Sequence, residues 1–174
     1  MTETAPSGRR SIAGHSIRWD EARARTAYES GHWVRDTLAD ALARAVIEDP
    51  GRILIIDGAV RLDARTLSER ASQLAKVLSS RFEPGSVISF MLPNWYEAAI
   101  IYLATTLAGM VAHPVLPSLR EYDLRYMLED VGSRMIFIPE VFRGHDCANM
   151  LSIVVQQLAT PPEIVVVRGN AGPP

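Results

Sequence analysis

Four short apolar segments recur along the second half of the chain at nearly constant spacing. They begin at Val87, Val111, Met135 and Ile164, so successive starts lie 24, 24 and 29 residues apart. That spacing is typical of strand–helix units, and segments that are apolar throughout are typical of strands covered on both faces. The sequence therefore predicts an α/β fold with an open, mostly parallel sheet and helices on both faces. Pro114 cannot donate a backbone hydrogen bond, which indicates either the end of the second strand or an edge strand.

A helix and a β-hairpin are predicted ahead of these units. The helix covers about residues 36–48 and ends before Pro50. Its expected inward face consists of Leu38, Ala41, Leu42, Ala45 and Val46. The hairpin follows from Asp57 and Gly58, which separate two apolar runs and favour a tight turn.

The composition fits one compact domain. The chain has 174 residues, of which 48% are hydrophobic, enough to bury a core. We expect residues 1–20 to be flexible, residues 21–168 to form the domain, and residues 169–174 to be a linker. The uncharged stretch from residue 98 to 119 is interrupted by glycine and prolines, which favours a buried helix and strand over a membrane span.

Charge and cysteine content narrow the function classes. The net charge of -2 offers no basic field for nucleic acid. The single cysteine, Cys147, excludes an internal disulfide and makes the cytoplasm the expected compartment. The four histidines and Cys147 lack metal-ligand spacing, so no metal site is expected. Cys147 is expected to be an inert thiol that opens a helix capped by Asp146.

Three helix starts share one pattern, in which a Ser, Thr or Asn precedes a Glu by three residues. This pattern predicts capping boxes. The pairs are Thr66 with Glu69, Asn94 with Glu97, and Ser118 with Glu121. Gly109 and Gly132 are expected to end two of the helices.

The segment L-P-N-W-Y-E, residues 92–97, turns from a strand into a helix at a place where many nucleotide-binding folds have a glycine-rich phosphate loop. It contains no glycine. If Asn94 caps the helix and Glu97 folds back over it, a carboxylate takes the space that a phosphate would need. We therefore predict a structural corner. The chain also lacks both G-x-G-x-x-G and G-x-x-x-x-G-K-[ST].

The loops after the first three parallel strands should meet at one edge of the sheet, where ligands of such folds gather. They bring together Ser118, Arg120, Arg143 and His145, a cationic group that could bind a phosphate or a carboxylate. Ordinary exposed arginines remain the alternative interpretation.

Residues 57–150 resemble the N-terminal part of the adenylate-forming superfamily, which includes acyl-CoA synthetases, aryl-CoA ligases, luciferases and nonribosomal adenylation domains. The matching pieces are D-G, T-L-S-E-R-A-S-Q-L-A, P-G-S-V-I-S-F-M-L-P-N-W-Y-E, L-A-T-T-L-A-G-M-V-A-H-P-V-L-P, R-E-Y-D-L-R-Y-M-L and F-I-P-E-V-F-R-G. The resemblance is greatest to bacterial fatty-acyl, aryl or cyclohexanecarboxylate-type CoA ligases.

The resemblance implies a two-step reaction with ATP, magnesium and coenzyme A. A carboxylate and ATP give an acyl-adenylate, and the thiol of coenzyme A then displaces AMP. It also implies that Ser118, Arg120 and Arg143 lie near the coenzyme A path. The family's Ser/Thr/Gly-rich phosphate loop ending in P-K-G, its aromatic-Gly-x-T-E segment and its catalytic Lys motif do not occur in this sequence.

Three hypotheses remain open at this stage. The first is an N-terminal fragment of an ATP-dependent acyl-CoA ligase that is inactive alone, has no catalytic residue of its own and self-associates through exposed apolar surface. The second is a stand-alone module that binds coenzyme A or a partner protein. The third is an unrelated small α/β enzyme.

Overall fold

The computed structural model describes residues 8–12 and 15–169, and the contacts between them divide the chain into two units after Thr37. The first unit contains β1 (Gly8–Ile12), β2 (His15–Trp19) and α1 (Glu21–Glu29). Strands β1 and β2 pair antiparallel, a hairpin that the sequence did not predict. Residues 1–7, 13 and 14 of the segment expected to be flexible lie outside the described residues, so its flexibility stays a prediction.

The second unit contains the remaining elements. In chain order they are α2 (Leu38–Glu48), β3 (Ile53–Asp57), β4 (Val60–Asp63), α3 (Ala64–Arg81), β5 (Val87–Phe90), α4 (Tyr96–Leu107), β6 (Val111–Pro114), α5 (Glu121–Val131), β7 (Ser133–Pro139), β8 (Val141–Phe142), β9 (His145–Asp146), α6 (Cys147–Val155) and β10 (Glu163–Val167).

A four-stranded parallel sheet organises the second unit, in the order β10-β7-β5-β6. The predicted α/β fold class is therefore confirmed, and so is the edge position of the strand that contains Pro114. The third and fourth strands begin slightly earlier than predicted, at Ser133 and Glu163. Every residue of β5 is buried, as its continuous apolar character indicated.

Helices cover both faces of this sheet. On one face, Ile101 of α4 and Leu78 of α3 pack against Ile88 and Phe90. The opposite face is covered by α5 and α6. Its buried contacts include Leu124, Leu128, Leu151, Ile136 and Ile138. Full burial of each such side chain contributes about 1.5–3 kcal/mol, so these two layers stabilise the frame on which the loops are mounted.

The predicted hairpin is present as β3 and β4, with Gly58 at a positive φ of 57° in its turn. Helix α2 is also present, but its predicted inward face is only partly correct. Leu42 is buried and packs with Leu62 of the hairpin, whereas Leu38 is 52% exposed and Ala41 is also exposed. The reason is that α2 covers a small satellite cluster, so only a narrow stripe of the helix is buried.

All three predicted capping boxes are wrong. Helix α3 begins three residues before Thr66 would require, and the Asp63 carboxylate accepts the Thr66 N–H at 2.7 Å. Helix α4 has Trp95 at its N-cap, and α5 has Arg120; neither makes a side-chain capping bond. Asn94 and Ser118 therefore lie outside the helices that they were expected to cap.

The remaining helix-end predictions are confirmed. The Asp146 carboxylate accepts the Asn149 N–H at 2.8 Å and caps α6 directly before Cys147. Gly132 ends α5 in the left-handed conformation, and Gly109 follows the end of α4 with a φ of 67°. In the part of the chain that the structure describes, no helix is long and apolar enough to cross a membrane.

Candidate functional site

The carboxyl edge of the parallel sheet forms a crevice, because the connections that leave its two central strands run to opposite faces of the sheet. The loop after β5 leads to α4 on one face, and the loop after β7 leads to α6 on the other. Strands β5 and β7 are neighbours, so this is the topological switch point at which open α/β sheets bind ligands.

A cleft of about 590 Å³ opens at this edge. Apolar groups of Leu92, Val115 and Phe142 form part of its wall, and Asn94, Ser118 and Arg143 contribute polar groups. The cleft is thus mainly apolar with one cationic side chain, which suits an extended ligand that combines apolar and anionic parts.

Two of the four side chains predicted to meet at this edge line the cleft, namely Ser118 and Arg143. Arg143 occupies the turn between β8 and β9 at a φ of 49°, directly before Gly144 at a φ of 76°. Its guanidinium lies 5.3 Å from the centroid of the Phe142 ring. This turn places a charged group at the tip of a short two-stranded hairpin.

The other two predicted side chains are engaged elsewhere. Nη1 of Arg120 donates to the carbonyl oxygens of Ser118 and Leu119, both at 2.9 Å, and Arg120 does not line the cleft. His145 is half-buried, with Nε2 3.2 Å from Sδ of Met150. Of the four residues predicted to form one cationic group, only Ser118 and Arg143 therefore line the cleft, and the Arg120 side chain is folded over its own loop.

The corner at residues 93–97 is held by a carboxylate, as predicted, but by a different one. The Tyr96 N–H donates to Oδ2 of Asp57 at 3.2 Å, so the hairpin supplies the acceptor that Asn94 was expected to provide. Glu97 does not fold back over the helix start. Its two carboxylate oxygens accept from Nε and Nη2 of Arg168, both at 2.8 Å.

Arg168 joins these groups at the end of β10. Its Nη2 also donates to Oδ2 of Asp57, at 2.5 Å, and its guanidinium lies 4.2 Å from the Trp95 ring centroid and 5.3 Å from that of Tyr96. The hydrogen bonds that Arg168 donates to Glu97, and next those to Asp57, raise the pKa of Arg168, and the bond from Arg168 lowers the pKa of Asp57. Arg168 and Asp57 therefore stay ionised at neutral pH. We call Arg168, Asp57 and Glu97 the Arg168 clasp.

Arg168 was not among the predicted site residues, because that prediction rested on the loops after the first three strands only. Arg168 directly follows the fourth strand, so the same rule about carboxyl ends places it at this edge. Its two carboxylate partners lie 71 and 111 residues away, and no local pattern indicates that pairing.

The thiol of Cys147 is buried, as predicted, and donates to the His145 carbonyl oxygen at 3.6 Å. Burial raises its pKa, so it remains protonated and is a poor nucleophile. Among residues 8–12 and 15–169, no group of three or more His, Cys, Asp or Glu side chains is arranged to hold a metal ion.

A buried polar chain crosses three strands below the cleft edge. Ser89 of β5 lies 2.9 Å from Nδ1 of His113 on β6 and 2.7 Å from the Ser133 hydroxyl at the start of β7. The Ser133 hydroxyl donates to the Met135 carbonyl oxygen at 3.0 Å. Burial lowers the pKa of His113, so the imidazole is neutral at pH 7.

Curated proteins similar to this chain include CoA ligases. It is 30% identical over 152 residues to the medium-chain fatty-acid–CoA ligase of Escherichia coli K12, a match that covers 86% of this chain and 27% of that protein. It is 26% identical over 157 residues to a salicylyl-CoA synthase / salicylate adenylyltransferase of a Streptomyces species, covering 90% and 28%. The chain thus spans under a third of the length of either relative.

Solved structures share the fold. An anthranilate CoA ligase in complex with anthranoyl-AMP superposes with a TM-score of 0.70 at 16% identity, covering 79% of this chain and 26% of that one. A Mycobacterium tuberculosis fatty acyl CoA synthetase gives a TM-score of 0.65 at 18% identity, covering 75% and 26%.

The sheet, its covering helices, the cleft and the clasp all fall within one family match. A model described as AMP-binding enzyme matches residues 42–173, which is more than half of the chain. This protein therefore belongs to the family of AMP-binding enzymes.

Proposed function

We propose that this chain supplies the N-terminal part of an ATP-dependent carboxylic acid–CoA ligase. In that reaction a carboxylate attacks the α-phosphorus of ATP, pyrophosphate leaves, and the thiol of coenzyme A then displaces AMP to form a thioester. The observation that carries the proposal is the match to AMP-binding enzymes across the whole parallel sheet, together with relatives that are named as CoA ligases.

We assign the cleft to coenzyme A. Its apolar walls suit the uncharged arm of that molecule, and the Arg143 guanidinium suits a phosphate, for which it offers paired N–H donors. The exposed Ser118 hydroxyl can donate to the same group or to an amide carbonyl. Arg120 lies in the same loop and, with Nη1 held by two carbonyls, keeps other N–H groups for a ligand at the cleft mouth.

Residues 1–174 alone are expected to catalyse neither half-reaction. Attack at the α-phosphorus builds negative charge that free backbone N–H groups, a lysine and a magnesium ion must offset. The sequence contains no Ser/Thr/Gly-rich segment ending in P-K-G, and the corner at residues 93–97 is filled by carboxylates. ATP and magnesium would therefore be bound by other segments of the full ligase.

Two measurements test the proposal that this chain is part of a CoA ligase and is inactive alone. Pyrophosphate release from ATP, magnesium and a panel of medium-chain and aryl acids should stay at the background rate with the purified chain, and detection of an acyl-adenylate would refute its inactivity. The encoding DNA, followed in frame beyond codon 174, should specify a P-K-G phosphate segment. A stop codon there would instead favour a module that binds coenzyme A without catalysis.

The cleft assignment is tested by calorimetric titration with coenzyme A. Arg143→Gln should weaken binding by about tenfold or more, because a hydrogen bond to a charged group contributes about 1.5–3 kcal/mol. Arg134→Gln is the matched control, since Arg134 is exposed near the opposite, amino end of β7. Equal affinities for the two variants would remove Arg143 from the site.

A further inference from the structure

The backbone just after β10 has an unusual conformation at Arg168 and Gly169. Arg168 has a φ of 56°, a left-handed conformation that is unfavourable for a residue other than glycine. Gly169 follows without room for a side chain, because a Cβ atom there would lie 2.7 Å from Cγ1 of Val166. This backbone is therefore unfavourable for an arginine unless the side chain gains compensating contacts, and the clasp supplies them.

The clasp joins three segments that are remote in sequence. It connects the end of β3 through Asp57, the first turn of α4 through Glu97, and the end of β10 through Arg168. Two paired bonds to one carboxylate and a third bond to another fix both the position and the plane of the guanidinium. That plane in turn lies over the rings of Trp95 and Tyr96.

The corner between β5 and α4 has a cleft side and a clasp side. Asn94 and Ala98 line the cleft, while Trp95, Tyr96 and Glu97 contact Arg168. The N-cap residue of α4, Trp95, makes no side-chain capping bond, so the corner is not fixed by a local cap. Its long-range side-chain bonds come from Asp57 and Arg168.

We infer that Arg168 is a positioning residue for the cleft: from outside the cleft, it holds the corner at residues 93–97 in the conformation that forms one cleft wall. Arg168 does not contact the ligand in this arrangement. The inference rests on the proposed function, because it concerns the same cleft. It adds a residue that acts through Trp95 and Glu97 rather than by binding coenzyme A.

The experiment compares Arg168→Gln and Arg168→Lys with the wild-type chain in two measurements. The first is hydrogen exchange at the Tyr96 N–H, read by NMR. The second is the affinity for coenzyme A, read by calorimetry. Arg168→Gln should speed exchange at Tyr96 and weaken coenzyme A binding by about tenfold, the factor that corresponds to one lost charge-assisted contact. Arg168→Lys should partly restore both the slow exchange at Tyr96 and the affinity for coenzyme A, since an ammonium can pair with one carboxylate but cannot form the two paired bonds.

Arg81→Gln is the matched control. Arg81 pairs with Glu163 at the opposite end of β10, at 2.5 Å, so its loss removes an arginine–carboxylate pair without touching the corner. Both measurements should stay within twofold of wild type. If Arg168→Gln fails to fold, Glu97→Gln replaces it, because that change weakens the paired bonds to Arg168 and keeps Asp57 as the acceptor of the Tyr96 N–H.

The outcomes separate this inference from the proposed function. Unchanged coenzyme A affinity in a folded Arg168→Gln chain overturns the positioning role, whatever happens to exchange at Tyr96. If the wild-type chain does not bind coenzyme A, the cleft assignment fails. The clasp is then judged by exchange alone: faster exchange in Arg168→Gln with rescue in Arg168→Lys supports its hold on the corner, and unchanged exchange refutes it.

Discussion

His113 lies at one end of a buried chain of hydroxyl groups that crosses three strands, and the hydrogens in that chain can run in one direction only. The Ser133 hydroxyl has a single hydrogen and donates it to the Met135 carbonyl oxygen. Ser89 must then donate to Ser133, and Nδ1 of His113 must donate to Ser89. The network therefore fixes the Nδ1–H tautomer, and a second proton can be added only at Nε2.

This arrangement predicts a pH dependence of stability. Burial lowers the pKa of His113 in the folded chain, whereas the unfolded chain titrates near the usual value of about 6.5. Between those two values the unfolded state binds more protons, so the free energy of unfolding falls as pH drops through 6.5 towards the lower folded pKa. Urea unfolding of the wild-type chain and of His113→Gln across pH 5–8 measures this dependence. The difference between their free energies of unfolding should shrink as pH falls.

Ser89→Ala serves as the control for that experiment, and it carries a prediction of its own. It removes the acceptor for His113 and the donor for Ser133 but leaves the imidazole buried, so the pH dependence should persist. Its stability should drop by about 1–3 kcal/mol at every pH, the usual cost of leaving buried polar groups unpaired. If the free energy of unfolding of His113→Gln changed with pH as that of the wild type does, His113 would not be the source of the pH dependence.

At the scale of elements, the helix ends offer a direct comparison between two side chains. Asp146→Ala should lower the free energy of unfolding by about 1 kcal/mol, because Asp146 accepts the Asn149 N–H at the start of α6. Ser118→Ala should change it by only a few tenths, since Ser118 lies outside α5. Urea unfolding of both variants measures the difference. A larger loss for Ser118→Ala would mean that α5 begins where the capping pattern placed it.

The four strands of the parallel sheet could be predicted from sequence because each is a mostly apolar run, a signal contained in a few adjacent residues. The hairpin was equally local, in Asp57 and Gly58. The starts of α3, α4 and α5 could not be predicted in this way, because several polar residues near each start can act as a cap. Asp63 is both the last residue of β4 and the cap of α3, so the strand decides where the helix begins. Sequence spacing alone could not choose between Asp63 and Thr66.

The candidate site was half predictable for the same reason. Ser118 and Arg143 follow strands whose order in the sheet fixes the edge at which their loops lie. Whether a side chain on such a loop points into the cleft depends on its neighbours: Arg120 turns back to two carbonyls of its own loop. The clasp depends on contacts between distant segments and became visible only in the folded chain.

At the scale of the whole molecule, the sheet of the second unit ends in two strands that the described residues leave without an outer partner. Strand β10 pairs with β7 alone and β6 with β5 alone. Ile164 is 38% exposed, Val166 43% and Val111 42%. Exposed apolar side chains on an unpaired strand edge favour pairing with a second copy. The predicted self-association should therefore proceed through these edges.

Sedimentation velocity over a rising concentration series tests that prediction. The wild-type chain should form dimers or larger species, and Ile164→Lys should shift it towards monomer, because a lysine on an edge strand must be desolvated when a second strand pairs with it. Ile47→Lys is the control: Ile47 is 82% exposed on α2, away from the sheet, so losing it removes apolar surface without charging an edge. Equal effects of the two lysines would assign association to general surface hydrophobicity. A wild-type chain that stays monomeric at every concentration would show that the edges of β6 and β10 do not mediate self-association.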